Sequence, residues 1–226
     1  MQIKPGQSVF ITGTGTHVGK TFITGLWARC LLEQGVNVVT QKWVQTGSDL
    51  DRDIDTHDLL VQHRYSDTYS QDRCPYLLTL PASPHLAARH AGITIQKEKI
   101  IQSFHRLTTD FDCVLVEGAG GVLVPYSESE YLIDIAKDLD LPVLVVSSVE
   151  LGSINQTLLT IEALKKRQMP IVGVMFTSPT GEVLPEIVAD TPRIVAKLTG
   201  EKICGTLPYK SDFEQAYALF KRCVSL

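Results

Sequence analysis

The sequence predicts an α/β fold: a doubly wound, mostly parallel sheet with helices on both faces. Three observations carry that expectation. A short apolar segment, Ser8–Ile11, runs through a glycine-rich turn into a segment with helical periodicity. Within Phe111–Gly121, the continuously apolar run Cys113–Val116 has the pattern of a strand covered on both faces. Strand-like and helix-like segments then alternate along the chain, which calls for right-handed crossovers between parallel strands.

The first strand leads into Thr12-Gly13-Thr14-Gly15-Thr16-His17-Val18-Gly19-Lys20-Thr21. Behind it Ile23, Leu26, Trp27, Cys30 and Leu31 recur at helical spacing, and Gly35 supplies a stop. Gly-Lys-Thr where a strand gives way to a helix is the setting of a phosphate-binding loop, and makes the fold P-loop NTPase-like. Glycines let backbone N–H groups close around phosphate oxygens, and the helix N-terminus adds partial positive charge. Lys20 would reach the β- and γ-phosphates, and the Thr21 hydroxyl would sit on Mg²⁺. The spacing is irregular: five residues separate Gly13 from Gly19, one more than the common pattern.

Val36–Thr40 reads as the second strand, running into a polar loop, Gln41–Ser48. Ligands of open α/β sheets bind outside the carboxyl ends of strands, so Lys42 and Thr46 are site candidates. Asp49, Asp51, Asp53, Asp55 and Asp58 follow. They read as an acidic loop entering a short helix capped by Thr56 or Asp55, with one of them a candidate Mg²⁺ ligand that spacing does not single out. His57 and His63 read as ordinary helix residues. Pro81–His85 reads as a loop, because prolines interrupt both helix and ladder. Thr94–Leu107 has the pattern of an amphipathic helix. The run to Val116 ends in Glu117 and glycines, the position that carries a metal-holding carboxylate in nucleotide-hydrolysing folds. Strands at 141–147, 171–176 and 202–207 alternate with helices at 154–166, 185–198 and 213–224.

A length of 226 residues suits one domain, with neither a linker rich in Pro, Gly or Ser nor an internal repeat. A net charge of −4 argues against nucleic acid or an anionic membrane as partner. The first ten residues hold no long apolar run, so neither signal peptide nor membrane span is expected. The five cysteines are scattered without CxxC spacing, which argues against disulfides and a zinc site and for the cytoplasm.

These motifs in this order resemble the dethiobiotin synthetase family. The resemblance is carried by 12–21, Lys-Trp-Val-Gln-Thr-Gly (42–47), Ser-Pro-His (83–85), Val-Glu-Gly-Ala-Gly-Gly (116–121) and Leu-Gly-Ser-Ile-Asn (151–155). The family's phosphate loop has the same longer spacing. The resemblance implies an ATP- and Mg²⁺-dependent ligase that joins 7,8-diaminopelargonic acid and CO₂ into the ureido ring of dethiobiotin, through a carbamate and a carbamic–phosphoric anhydride. It implies that Thr16, Lys20 and Lys42 surround the reacting groups, and that Gly15, Thr16, His17, Val18, Gly19, Lys20, Thr21 and Phe22 hold the nucleotide phosphates. Glu117, Gly118, Ala119 and Gly120 would border the nucleotide, while Thr177, Ser178, Pro208 and Tyr209 match its base-contacting loops. Thr46 and Ser83 would bond the substrate. Thr21, Asp58 and Glu117 match the Mg²⁺ ligands. Leu151, Gly152, Ser153 and Asn155 match a segment that holds the substrate carboxylate of the other subunit, which implies a homodimer.

The chain departs from the family in two informative places. Trp43 stands where the family has proline after the catalytic lysine, so the strand end carrying Lys42 is expected to be shaped differently. Thr177-Ser178 stand where many members carry Asn-Asp, and a hydroxyl cannot make an amide's paired contact with adenine. Two other readings are a different amide-forming ligase on the same scaffold and a nucleotide switch similar to the partitioning ATPases. The first usually carries a glutamine-hydrolysing domain, and the second puts a lysine near the start of the loop, where Thr14 and Gly15 stand here.

Overall fold

Strand β1 (Val9–Gly13), buried along its whole length, lies inside a six-stranded parallel sheet. The strand order is β2 (Val38–Lys42), β5 (Cys113–Gly121), β1, β6 (Val143–Ser148), β7 (Ile171–Thr177) and β8 (Ile203–Leu207). The computed structural model describes residues 6–47, 52–178, 183–208 and 212–224. Helices α1 (Lys20–Glu33), α2 (Asp53–Val61) and α9 (Phe213–Val224) contribute to the core on one face of the sheet. Helices α5 (Lys97–Asp110), α6 (Leu132–Asp138), α7 (Ser153–Lys166) and α8 (Pro185–Thr199) contribute to the other. Two-sided burial explains the unbroken apolar runs: along β1, Val9 and Ile11 enter one core and Phe10 the other. Among the described residues no helix is long and apolar enough to cross a membrane.

Helix α1 ends as its sequence dictates. Gly35, at φ +82°, lets Val36 N–H bond the Leu31 carbonyl and Gly35 N–H the Leu32 carbonyl, which satisfies two of the last carbonyls and aims the chain at β2. The second strand then runs further than its apolar residues indicate, through Gln41 to Lys42, because both are fully paired with β5. That register sets Lys42 beside Glu117.

Four local expectations need correction. Residues 44–46 are not loop but β3 (Val44–Thr46), paired in parallel with β4 (Tyr76–Leu78) in a small second sheet. Residues 81–85 are not all loop, because Ser83 and Pro84 open α4 (Pro84–His90), with proline at a first-turn position where its missing N–H costs nothing. Helix α2 begins at Asp53 with Arg52 as its cap residue, so Asp55 and Thr56 lie inside it. His63 lies beyond the end of α2. Ser48, Asp49 and Asp51 fall outside the described residues.

Helices α1 and α2 approach closely at Gly25, where an added Cβ would stand 2.8 Å from the Leu60 Cβ. Glycine there lets α2 lie against the helix that follows the phosphate loop. Gly25→Ala is therefore expected to cost about 1–3 kcal/mol, the range for an overpacked core. In urea denaturation the cost should be less than additive with Leu60→Ala, which keeps the Cβ but removes the Cδ1 that an added Cβ would also meet at 2.8 Å.

Candidate active site

The phosphate loop joins β1 to α1, and its backbone is set by steric demands. A Cβ on Gly13 would meet Val18 Cγ2 at 2.8 Å and the Gly15 carbonyl at 2.9 Å. His17 and Gly19 both have positive φ, 60° and 94°. His17 and Thr16 are exposed, whereas Val18 and Lys20 are buried. Lys20 folds back over the loop and donates to the Gly15 carbonyl at 2.8 Å. Burial first, and then the charge of Lys42, lower the Lys20 ammonium to about 8. Such a group gains most from a polyanion arriving beside it.

Next to this loop lies a buried charge cluster. Lys42 Nζ donates to Glu117 Oε1 at 2.6 Å and to the Gly118 carbonyl at 3.2 Å, and stands 2.6 Å from Asp53 Oδ2. Glu117, 1% exposed, also accepts from the Thr21 hydroxyl at 3.0 Å on Oε1 and pairs with His57 Nε2 at 2.8 Å on Oε2. Burial works against both charges. Glu117 and Asp53 nevertheless hold the Lys42 ammonium above its ordinary value, while Lys42 and then His57 hold the Glu117 carboxyl well below the usual carboxylate range. Thr21, Glu117 and Asp53 offer hard oxygen donors, a set suited to Mg²⁺. Among the described residues no group of three or more His, Cys, Asp or Glu could hold a metal by itself, so an ion here would take much of its shell from nucleotide and water.

Asp53 and His57 were within reach of sequence reasoning. They lie one helical turn apart on α2, on the face that also buries Leu60 and Val61. Asp58, matched to the metal by resemblance, lies elsewhere. Its carboxylate takes bonds of 3.0 and 2.5 Å from Arg73, which also donates to the Thr40 carbonyl and hydroxyl.

The remaining expected residues fall into four groups. Thr177 donates to the Val18 carbonyl at 2.8 Å and packs on Gly19, so it braces the phosphate loop. Ser178 N–H bonds the Leu207 carbonyl, Pro208 is exposed just beyond β8, and Tyr209 falls outside the described residues. Gly120, at φ +60°, faces the loop near the Thr16 hydroxyl, with half-buried Ala119 before it, and Phe22 packs on Phe213. Gly47, next to Thr46, packs on Pro81, which brings the Thr46 and Ser83 segments together; the Ser83 hydroxyl is 3.0 Å from His85 Nδ1. Leu151, Gly152 and Asn155 are exposed at the start of α7, and Ser153 is buried. A chain of hydroxyls, Thr14–Ser147–Thr157, ties that helix start to the phosphate loop. Trp43 is fully buried on Phe10, its indole N–H bonded to the Gln41 side chain at 2.9 Å.

Comparison with known proteins decides the family. A family model described as an AAA domain matches residues 7–216. ATP-dependent dethiobiotin synthetases match at 39% identity in Halalkalibacterium halodurans, covering 94% of this chain and 88% of that protein, and at 34% in Anoxybacillus flavithermus, covering 94% and 96%. The chain belongs to the dethiobiotin synthetase family. A second such enzyme of Haemophilus influenzae is 41% identical, covering 76% of this chain and 91% of that protein. Among solved structures, the MinD cell division protein of Aquifex aeolicus superimposes with a TM-score of 0.58 at 18% identity, covering 95% of this chain and 87% of that one. A ParA family ATPase of Chlorobium tepidum gives 0.58 at 15%, covering 97% and 91%. At these identities the likeness shows the fold alone, a P-loop α/β sheet.

The Arg73–Asp58 pair yields a structural expectation for this dethiobiotin synthetase family member. Asp58→Asn should lower stability by about 1.5–3 kcal/mol, the range for losing charge-assisted hydrogen bonds, measured by chemical denaturation.

Proposed function

We propose that this chain is an ATP-dependent dethiobiotin synthetase of biotin biosynthesis, working as one domain and closing the ureido ring of dethiobiotin from 7,8-diaminopelargonic acid and CO₂. The observation that carries this reading is Lys42, a buried ammonium held at the end of β2 beside the phosphate loop and Glu117. A nucleotide switch gives such a group no evident task.

In this reading one substrate amine captures CO₂ as a carbamate, and its oxygen attacks the γ-phosphate of ATP. The second amine then closes on the mixed anhydride and expels phosphate. Lys20 and Lys42 offset negative charge as it accumulates on the carbamate and the transferring phosphoryl group, and Thr16 donates a hydroxyl there. The protein's main task is positioning. Thr21, Glu117 and Asp53 would hold Mg²⁺, which when bound neutralises phosphate charge. Asp53 is preferred to Asp58 because Arg73 already occupies both oxygens of Asp58. Thr46 and Ser83 would bond the diamine.

The exposed start of α7, with Leu151 wholly exposed, supports a homodimer in which this segment holds the partner's substrate carboxylate. Five cysteines without a disulfide support a cytoplasmic setting. With the Thr177 hydroxyl spent on Val18, base selection rests on other groups, which supports weak discrimination among nucleotides.

The test is ADP release with 7,8-diaminopelargonate, bicarbonate and Mg²⁺, with CTP and GTP in parallel. Turnover that depends on the diamine is expected; none with any nucleotide overturns the reading. Lys42→Ala should lower turnover by about two or more orders of magnitude, the scale of one transition-state contact, with nucleotide binding kept. Asp53→Asn should raise the Mg²⁺ concentration needed for half-maximal turnover, while Asp58→Asn leaves it unchanged. The reverse order would return the metal role to Asp58.

A further inference from the structure

The proposed reaction gives tasks to the lysines, Thr21, Asp53 and Glu117, but none to His57. Its placement is unusual for a structural residue. The ring is 0% exposed, on the face of α2 that packs towards the sheet. Nε2 lies 2.8 Å from Glu117 Oε2, and Nδ1 is buried with no hydrogen-bond partner among the described residues.

These facts fix the tautomer. A carboxylate oxygen only accepts, so the ring nitrogen facing it carries the proton. A proton on Nδ1 would leave a buried donor unsatisfied, which costs more than a bare lone pair there. The two oxygens of Glu117 are thereby divided. Oε2 is committed to His57, and Oε1 faces Thr21 and Lys42, on the side of the phosphate loop. Without His57 the carboxylate could rotate about its last bond and turn either oxygen towards Lys42.

We infer that His57 is a positioning residue for the divalent cation: it clamps one oxygen of Glu117 so that the other is presented, already oriented, beside Thr21. This rests on the reading of Glu117 as a ligand of that ion. Histidine suits the task better than a hydroxyl because a flat, buried ring with a single donor fixes both the distance and the plane of the carboxylate. Groups that orient a metal ligand in this way typically change metal affinity by 10–100-fold when removed.

The test uses the full chain and follows ADP binding by calorimetry across a series of Mg²⁺ concentrations, with metal-free ADP binding in chelator as the control. Three variants are compared: His57→Leu removes the donor, His57→Gln keeps an amide donor, and Glu117→Gln alters the ligand itself. His57→Leu should raise the Mg²⁺ midpoint by about 10–100-fold with metal-free ADP affinity unchanged. His57→Gln should recover most of that loss. A wild-type midpoint in His57→Leu, with Glu117→Gln strongly shifted, overturns the inference about His57 alone. A wild-type midpoint in Glu117→Gln removes the metal reading of Glu117, and the inference with it. Equal losses in metal-free and Mg²⁺-dependent affinity mark His57 as merely structural and also overturn it. Should His57→Leu not fold, long-range proton–nitrogen spectra of the wild-type histidines serve instead. A buried ring protonated on Nε2, with and without Mg²⁺ and ADP, is expected, and protonation on Nδ1 overturns the assignment.

Discussion

The ion pair between Lys42 and Glu117 is the constraint from which the rest of the site follows. Both groups are almost wholly buried, and an isolated charge of either sign would be strongly disfavoured there. Each offsets the other's burial, which favours the register in which the strands that carry them meet. The pairing of β2 with β5 supplies it, by setting position 42 opposite position 117. The sheet is therefore more than a scaffold under the site, because its hydrogen-bond ladder is the device that brings the two charges together.

One pair does not complete the accounts of either group. The ammonium has three donors and finds Glu117, Asp53 and the Gly118 carbonyl; the carboxylate finds Lys42, Thr21 and His57. Three of these partners come from α1 and α2. The close packing of those helices at Gly25 is thus coupled to the electrostatics of a site at the strand ends. A densely bonded polar network resists rearrangement because each member leaving it strands another. Here the network is nevertheless electrically adjustable, since an arriving cation and an arriving anion can each replace one partner. That combination suits a centre that must hold its geometry while charge moves across it.

The fold was legible in the sequence because its strands are buried on both faces and its helices on one, two patterns that differ in period. Lys42 and Glu117 were legible for a related reason: each is the charged residue that closes a buried run, towards the carboxyl ends of the parallel strands. Short elements were not. β3, β4 and α6 are three to seven residues long, too short for a period to declare itself, and Pro84 reads as a breaker unless its first-turn position is known. Linear spacing did not separate the aspartates of 49–58; the helical phase of Asp53 with His57, Leu60 and Val61 is the local signal that does, while the partner each finds, Lys42 for Asp53 and Arg73 for Asp58, is remote in sequence. His57 was missed because residue type alone does not tell a buried histidine from a surface one. Only its phase relative to Ile54, Leu60 and Val61 places it on the inner face.

The two departures from the family pattern have different physical meanings. Trp43 replaces a residue that fixes the backbone by its ring. It fixes the same strand end by other means, packing on Phe10 and bonding the Gln41 side chain, while Phe10 lies so close to Gly118 that a Cβ there would stand 2.7 Å from its ring. Trp43 thus helps to hold the backbone on both sides of the Lys42–Glu117 pair. Thr177 stands where the resemblance implies an amide that would read a base, and its hydroxyl holds the phosphate loop instead. The first change holds the backbone of Lys42 by a new route. The second commits a side chain to the loop that the proposed function gives to the nucleotide's phosphates, so on that reading the site is held most firmly where charge would be transferred and least at the base.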